Sequence, residues 1–190
     1  MARQRSLGGY RAIDLGCFLL MLALFEPVLH FAATRLFPAE PYTVSLVAAV
    51  TAIVMMRWGP WAAIHAVLGG VLVCVLSHAR WDQYLTYGLG NLLSLAALLL
   101  LKAWGKEETR KDALQSIGFG LMTALLMQLG RGIAALVLGN DWRVCLGFFT
   151  TGAVTDLFTV AIVWIARRLD GIFEDQIHYL RRIQKETHKR

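Results

Sequence analysis

The sequence predicts an all-α membrane protein with six transmembrane helices, both termini in the cytoplasm, and an amphipathic cytoplasmic helix at the C-terminus. Its hydrophobic fraction of 57% exceeds what a soluble domain of 190 residues carries. The apolar residues form blocks that are separated by clusters of charge. Lys and Arg are concentrated in alternate connections between these blocks, which is the positive-inside pattern of a multi-pass membrane protein.

The apolar blocks define the predicted spans. They cover residues 13–37, 44–56, 60–78, 83–104, 113–138 and 144–166. The second, of about 13 residues, is too short to cross ~30 Å of hydrocarbon at 1.5 Å per residue, so we expect it to be broken, tilted or sheltered by its neighbours. The first is longer than the apolar core of a signal peptide and contains Glu26, so we expect an uncleaved transmembrane helix.

The distribution of cations predicts the orientation. With the N-terminus inside, 15 of the 19 Lys and Arg residues fall in cytoplasmic segments. Only Arg35, Arg80 and Arg143 lie in outer loops, and Arg131 lies within a span. Because the net charge of +6 is spread between apolar blocks rather than over one face, we expect a lipid bilayer and not a nucleic acid as its partner.

Two regions follow from this pattern. Residues 1–168 are predicted to form the six-helix transmembrane domain, and residues 169–190 the cytoplasmic tail. Between 169 and 185 apolar residues recur at helical spacing, with acidic residues early and basic residues late, as the helix dipole favours. The tail is therefore interpreted as an amphipathic helix, which either lies on the headgroups or docks onto a partner.

Arg131 lies inside the fifth span, where an unpartnered guanidinium costs roughly 2.5 kcal/mol or more. It must therefore face protein or a wet cavity. Gln128 lies three residues earlier on the same helix face, among small residues that allow neighbours to approach closely. This face is predicted to form one wall of a pocket.

Other spans carry polar residues at similar depth. The first has Glu26 and His30 one turn apart, with Pro27 between them as a source of a kink. Counted from the outer end at 1.5 Å per residue, His30 and Arg131 lie about 10 Å deep and Glu26 about 15 Å deep. The predicted site in the outer half consists of Glu26, His30, Tyr84, Tyr87, Asn91, Gln128, Arg131 and Asp156.

A structural alternative explains the same residues. Arg131 could pair with Glu26 or Asp156 as a link between helices, with the amides bonding other helices. His65 is better explained as a hydrogen-bonded packing residue. Cys74 and His78 cannot close a metal or corrinoid site alone, so no metal and no cofactor are expected.

Six spans with both ends inside, a short second span, the turn RWGP at 57–60 and the glycine pair at 69–70 resemble the substrate-binding S components of energy-coupling factor (ECF) transporters. The resemblance implies capture of a vitamin or related micronutrient from outside. It also implies a membrane coupling subunit with two cytoplasmic ATPases, in a bacterial cytoplasmic membrane. The family's small-residue contact with the coupling subunit maps onto Ala12 and Gly16.

Two other function classes remain open. A membrane enzyme would use Glu26, His30 or Asp156 as acid, base or metal ligand, but the chain lacks the usual HExxH and GxSxG signatures. A scaffold without a ligand would pair the polar residues only with each other. No Walker motif is present, so we expect a binding subunit powered by others rather than an enzyme.

Overall fold

The computed structural model describes residues 7–36, 38, 43–169 and 171–180. Five helical runs in this part of the chain are long and apolar enough to cross a membrane, which indicates a multi-pass membrane protein: Leu7–Leu36, Val47–Leu76, Trp81–Trp104, Ala113–Val137 and Trp142–Arg168. The α-helices of the described residues are α1 (Leu7–Leu36), α2 (Val47–Trp58), α3 (Ala63–Leu76), α4 (Trp81–Gly90), α5 (Leu98–Trp104), α6 (Lys106–Lys111), α7 (Ala113–Val137) and α8 (Trp142–Arg168). The short helix α6 lies between the third and fourth of the five runs. Tight 3-10 stretches, Gly59–Ala62 and Asn91–Ala97, join α2 to α3 and α4 to α5.

The run Val47–Leu76 is a hairpin and not one straight helix. A Cβ atom on Gly69 would lie 2.7 Å from a methyl group of Val47. In a straight helix these residues would be about 33 Å apart, at 1.5 Å per residue. The chain reverses at Gly59, whose φ of 62° is accessible to glycine at little cost. Helices α2 and α3 therefore lie antiparallel, as expected from the turn at 57–60.

Helix α2 is the centre of the bundle. All of its 12 residues are buried, and it packs against α1, α3, α7 and α8. At 1.5 Å per residue it is about 18 Å long, well short of the ~30 Å hydrocarbon core. It is thus a helix sheltered by its neighbours, which is one of the outcomes expected for so short an apolar block.

Helix α1 binds both ends of α2. At one end the backbone N–H of Leu46 donates to Oε2 of Glu26 at 2.8 Å. At the other end Trp58 Nε1 donates to Asp14 Oδ2 at 2.6 Å. Asp14 and Glu26 are 12 residues apart, as are Leu46 and Trp58. The two antiparallel helices are therefore matched in length between these polar contacts.

Arg57 joins α1 to the C-terminal segment at the end of the bundle where α1 begins. Its Nε and NH2 groups donate to the two oxygens of Asp14, each at 2.7 Å. Its NH1 group donates to the carbonyls of Gly171 and Ile172. Arg57 is 9% exposed, so these bonds supply acceptors for a charge that would be costly to bury alone.

The C-terminal segment differs from the predicted amphipathic helix. Helix α8 ends at Arg168, Gly171 has a φ of 75°, and helix resumes only at 176–180. The segment docks onto the bundle through Phe173, which is buried against Phe119. The prediction of a continuous helix was wrong at the start of the tail. Arg57 donates hydrogen bonds there to backbone carbonyls that a continuous helix would use for its own hydrogen bonds. The rest of the predicted tail, 181–190, lies outside the described residues.

Asp175 holds the same segment to α6. Its carboxylate lies 3.1 Å from the Lys106 ammonium and 3.0 Å from Nδ1 of His178. Burial works to raise the pKa of Asp175, but the hydrogen bond from His178 and the Lys106 charge outweigh it and keep that pKa below its usual value. The segment is therefore tied to α2 through Arg57 and to α6 through Lys106.

Helix α7 approaches the 81–104 run very closely. A Cβ atom on Gly130 would overlap the carbonyl oxygen of Gly90, and one on Gly90 would lie 2.8 Å from the Cα of Arg131. Both positions therefore require glycine for the backbones to meet. This crossing brings Arg131 beside the residues that follow Gly90.

We expect Gly130→Ala to destabilise the protein by about 1 to 3 kcal/mol, because the new methyl group must push two packed backbones apart. The matched control is Gly147→Ala, a helical position with no atom within 4 Å of the added methyl. Unfolding in detergent micelles, followed by circular dichroism, measures both. Equal stability of the two variants would contradict the close crossing.

Candidate functional site

The polar residues of the bundle gather around the N-terminal end of α2, where two cavities lie side by side. The larger, called the Glu26 cavity, has a volume of about 140 Å³. It is lined by Glu26, His30, Ala33, Thr34, Thr43, Val44, Ser45, Val73, Leu76, Ser77 and Tyr87. It therefore lies between α1, the residues before α2, α3 and α4.

The smaller cavity, called the Asp156 cavity, has a volume of about 10 Å³, room for about one water molecule. It is lined by Ser45, Ala48, Ala124, Met127, Gln128, Arg131, Gly152, Thr155 and Asp156. Ser45 lines both cavities, so the residues just before α2 form the wall between them.

Glu26 is 2% exposed and faces the first turn of α2. Its carboxylate accepts the N–H of Leu46, and the Ser45 hydroxyl accepts the next N–H, that of Val47, at 3.2 Å. A carboxylate at a helix N-terminus is stabilised by the helix dipole and by the free amides there. Glu26 therefore holds α2 in place and lines the larger cavity at the same time.

Arg131 bonds neutral groups. Its Nε donates to Asn91 Oδ1 at 2.7 Å, and its guanidinium lies 4.6 Å from the centre of the Tyr87 ring. Asn91 is fully buried and donates in turn to the carbonyl of Ala66 at 2.8 Å. Among the described residues, no carboxylate oxygen lies within 4.0 Å of the Arg131 guanidinium. A direct ion pair with Glu26 or Asp156 is thus not formed.

Gln128 and Asp156 join α7 to α8. Nε2 of Gln128 donates to Asp156 Oδ1 at 2.6 Å, while its Oε1 is buried without a partner among the described atoms. Gly152 makes room for this pair, because a Cβ atom there would overlap the Gln128 amide. An unpaired buried oxygen beside a cavity is a ready acceptor for a water molecule or a ligand donor.

Seven of the eight predicted site residues meet in this region. Glu26, His30 and Tyr87 line the Glu26 cavity, Gln128, Arg131 and Asp156 line the Asp156 cavity, and Asn91 supports Arg131. Tyr84 lies apart from both linings and stacks on Trp81, with ring centres 6.1 Å apart. Whether these residues contact a ligand stays a prediction.

The remaining candidates have structural contacts. His65 is fully buried, and its Nε2 lies 3.1 Å from the Leu15 carbonyl. Cys74 donates to the carbonyl of Gln83 at 3.5 Å. No group of three or more His, Cys, Asp or Glu side chains that could hold a metal ion is found within residues 7–36, 38, 43–169 and 171–180.

The predicted partner surface is exposed. Ala12 and Gly16 both lie on the open face of α1, and a Cβ atom on Gly16 would meet nothing within 4 Å. A neighbouring helix could therefore approach this face without displacing any residue of the chain. No contact of the described residues tests whether it does.

Two important residues were missed in the sequence. Ser45 lines both cavities, and its signal was a hydroxyl residue just before an apolar helix, where such side chains often accept hydrogen bonds from the free amides of the first turn. Asp14 was overlooked because it lies at the border of an apolar block. The sequence could have indicated Asp14, because this acid has the same expected depth as Arg57 in the turn at 57–60.

The residues around the two cavities combine charged and neutral polar groups. They offer one guanidinium, two carboxylates, an imidazole and several neutral polar groups around a small space, which suits recognition of a molecule with both donors and acceptors. No protein-family model, curated protein or solved structure matches the chain.

We expect Arg131→Met to lower the free energy of unfolding by about 1 to 3 kcal/mol, since Asn91 Oδ1 would be left buried without its donor. Adding Glu26→Gln or Asp156→Asn should not restore stability, because neither carboxylate contacts the guanidinium. Denaturant unfolding of the single and double variants in micelles measures this. Full recovery in either double variant would show that Arg131 is a structural ion-pair partner.

Proposed function

We propose that this chain is an integral-membrane substrate-binding subunit of the S-component type, part of an ECF importer. It captures a vitamin or related micronutrient from outside and releases it inward when partner ATPases supply the energy. The observation that carries the proposal is Arg131, a charge inside the bundle whose guanidinium faces neutral groups beside a cavity. Polar groups held in this way at membrane depth are typical of functional sites.

The proposed topology has six membrane-embedded segments, with the hairpin of α2 and α3 counted as two, and both termini in the cytoplasm. The reversal at Gly59 supports this number, and the positive-inside pattern supports the orientation. In this orientation the Glu26 cavity opens in the outer half of a bacterial cytoplasmic membrane, while Arg57 and the docked C-terminal segment lie at the inner surface.

The chemistry of the site favours a small amphipathic ligand with an anionic group. The two terminal nitrogens of Arg131 match a carboxylate or phosphate, because a guanidinium donates in a planar fork. Tyr87 offers a ring face, and His30 and Glu26 offer further polar contacts on the other side of Ser45. A ligand touching both groups must displace the residues around Ser45.

The present cavities are too small for such a ligand. Sites for drug-sized molecules occupy about 300 to 1,000 Å³, whereas the Glu26 cavity has about 140 Å³. Binding requires the walls to separate.

The exposed face of α1 is the proposed contact surface for the membrane coupling subunit. Ala12 and Gly16 present small residues on that face, and Leu20 continues it at 60% exposure. Small residues allow close helix contact in lipid, which suits a membrane coupling subunit. The energy would come from two cytoplasmic ATPases, since this chain carries no Walker motif and is not proposed to be an enzyme.

A scaffold without a ligand is the second candidate, and one observation favours it. Arg131 bonds Asn91, Gln128 bonds Asp156, and Glu26 bonds the first turn of α2, so most polar groups already have partners. The unpaired Gln128 Oε1 and the space beside His30 favour the binding function instead. The presence or absence of a bound small molecule decides between them.

Protein purified in detergent should carry a small molecule at near-equal molar amount, detectable by mass spectrometry of the denatured extract. Arg131→Met should retain at least ~30-fold less of it, since truncating one partner of a buried charge pair costs about 2 to 5 kcal/mol. Gly147→Ala is the matched control and should retain it fully. Equal retention by Arg131→Met, or no molecule with wild type, would defeat the proposal.

Gly16→Leu should abolish uptake by the assembled transporter, because a large side chain prevents close approach of the coupling subunit. Gly16 is exposed and a Cβ atom there meets nothing within 4 Å, so folding and retention of the small molecule should be unchanged. Phe25→Leu, a change at an exposed apolar site farther along α1, serves as the control. Wild-type uptake by Gly16→Leu would remove this surface from the model of the complex.

A further inference from the structure

Helix α1 has one anchored part and one part that extends past its support. From Asp14 to Glu26 it lies along the full length of α2 and is bonded to it at both ends. The last ten residues of α1, 27–36, continue beyond the start of α2. We call residues 28–36 the outer arm.

Pro27 lies at the junction between the anchored part and the outer arm. Proline has no N–H, so it cannot bond the carbonyl of Ala23, and its ring disfavours a straight helix. Such positions are where helices bend. Glu26, the residue directly before it, is the last one tied to α2. The bend point and the final anchor therefore coincide.

The outer arm is weakly packed. Ala33 is its only buried residue, while Val28 and Phe31 are each 61% exposed and Leu36 is 72% exposed. In a bilayer these side chains face lipid, which is as apolar as they are and resists displacement little. Within the described part of the chain, the side-chain hydrogen bond of the arm runs from Thr34 Oγ1 to the carbonyl of Phe31 and so stays inside the arm.

The inner face of the outer arm covers the Glu26 cavity. His30, Ala33 and Thr34 line the cavity from the arm, while Val73 of α3 and Ser77 just after α3 line it from the other side. Moving the arm away from α3 therefore enlarges this cavity while the hydrogen bonds that tie α1 to α2 stay in place. The other walls are held more tightly, because α3 and α4 meet in close backbone contact at Gly70 and the N–H of Thr43 donates to the carbonyl of Thr151.

We propose that the outer arm is a lateral gate, hinged at Pro27 and held at its base by Glu26, which opens the binding cavity between α1 and α3. The arm is about 14 Å long from Pro27 to Leu36, so a change in bend of about 20° moves its end by about 5 Å. This movement supplies the space that the closed cavity lacks. The inference rests on the proposed function in treating the cavity as a binding site.

Distances between spin labels test the gate without any ligand. In a background with Cys17, Cys74 and Cys145 replaced by Ala, one label pair reports the arm through Thr34→Cys and Ser77→Cys. A second pair reports the anchored part through Leu20→Cys and Lys111→Cys. Pulsed electron resonance on protein in lipid nanodiscs gives the distance distribution of each pair.

The arm pair should show two populations that differ by about 5 Å, and the anchored pair one. Pro27→Ala restores the missing N–H and should leave only the shorter arm distance. Pro60→Ala, the same change at the far end of the bundle, should leave both populations. Glu26→Gln weakens the anchor and should raise the share of the longer distance, which provides a second variant if Pro27→Ala folds poorly.

A single arm distance in wild type, or identical distributions in wild type, Pro27→Ala and Glu26→Gln, would overturn the gate. Equal broadening of the distance distributions of both label pairs in Glu26→Gln would also overturn the gate, because all of α1 would then be moving. Retention of the small molecule is measured separately on the same proteins. If the small molecule is bound but the arm does not move, only the gate is contradicted. If the arm moves but no small molecule is bound, only the proposed function is contradicted.

Discussion

The complete burial of α2 is the constraint on which the rest of the structure depends. A helix of 12 residues is too short to place its ends in water on both sides of a bilayer, so its terminal amides and its charged Arg57 need partners inside the protein. Helix α1 supplies them with Glu26 at one end and Asp14 at the other. The equal spacing of these contacts sets the register of the two helices, and α3, α7 and α8 pack around the resulting pair.

The same contacts place the candidate site. Because Glu26 must reach the first turn of α2, its neighbours His30 and Ala33 come to cover the cavity beside that turn. The glycine crossing of α7 at Gly130 brings Arg131 to Asn91 and Tyr87 on the opposite side. The residues that hold the helices together therefore also line the two cavities, and their polar groups largely satisfy one another.

The end of the bundle where α1 begins is organised by Arg57, which contacts both α1 and the C-terminal segment. This contact explains why the segment is docked instead of lying free as an amphipathic helix. Phe173 fills a buried position against Phe119, and Ile172, Ile177 and Leu180 pack against the same core. In this described part of the tail, the apolar periodicity therefore reflects packing against protein.

The sequence by itself determined the helical membrane character, the reversal at 57–60 and the gathering of Glu26, Asn91 and Arg131, because apolar block length and the cost of polar groups in lipid are local properties of the chain. Only the tertiary structure decided that Arg131 bonds Asn91 rather than a carboxylate, that Tyr84 lies outside the cavities, and that Ser45 divides them. Those outcomes depend on helix rotation and crossing points, which are set by contacts such as Gly130 against Gly90 between residues 40 positions apart. Depth can be counted along one helix, but the direction in which a side chain faces is decided by its neighbours.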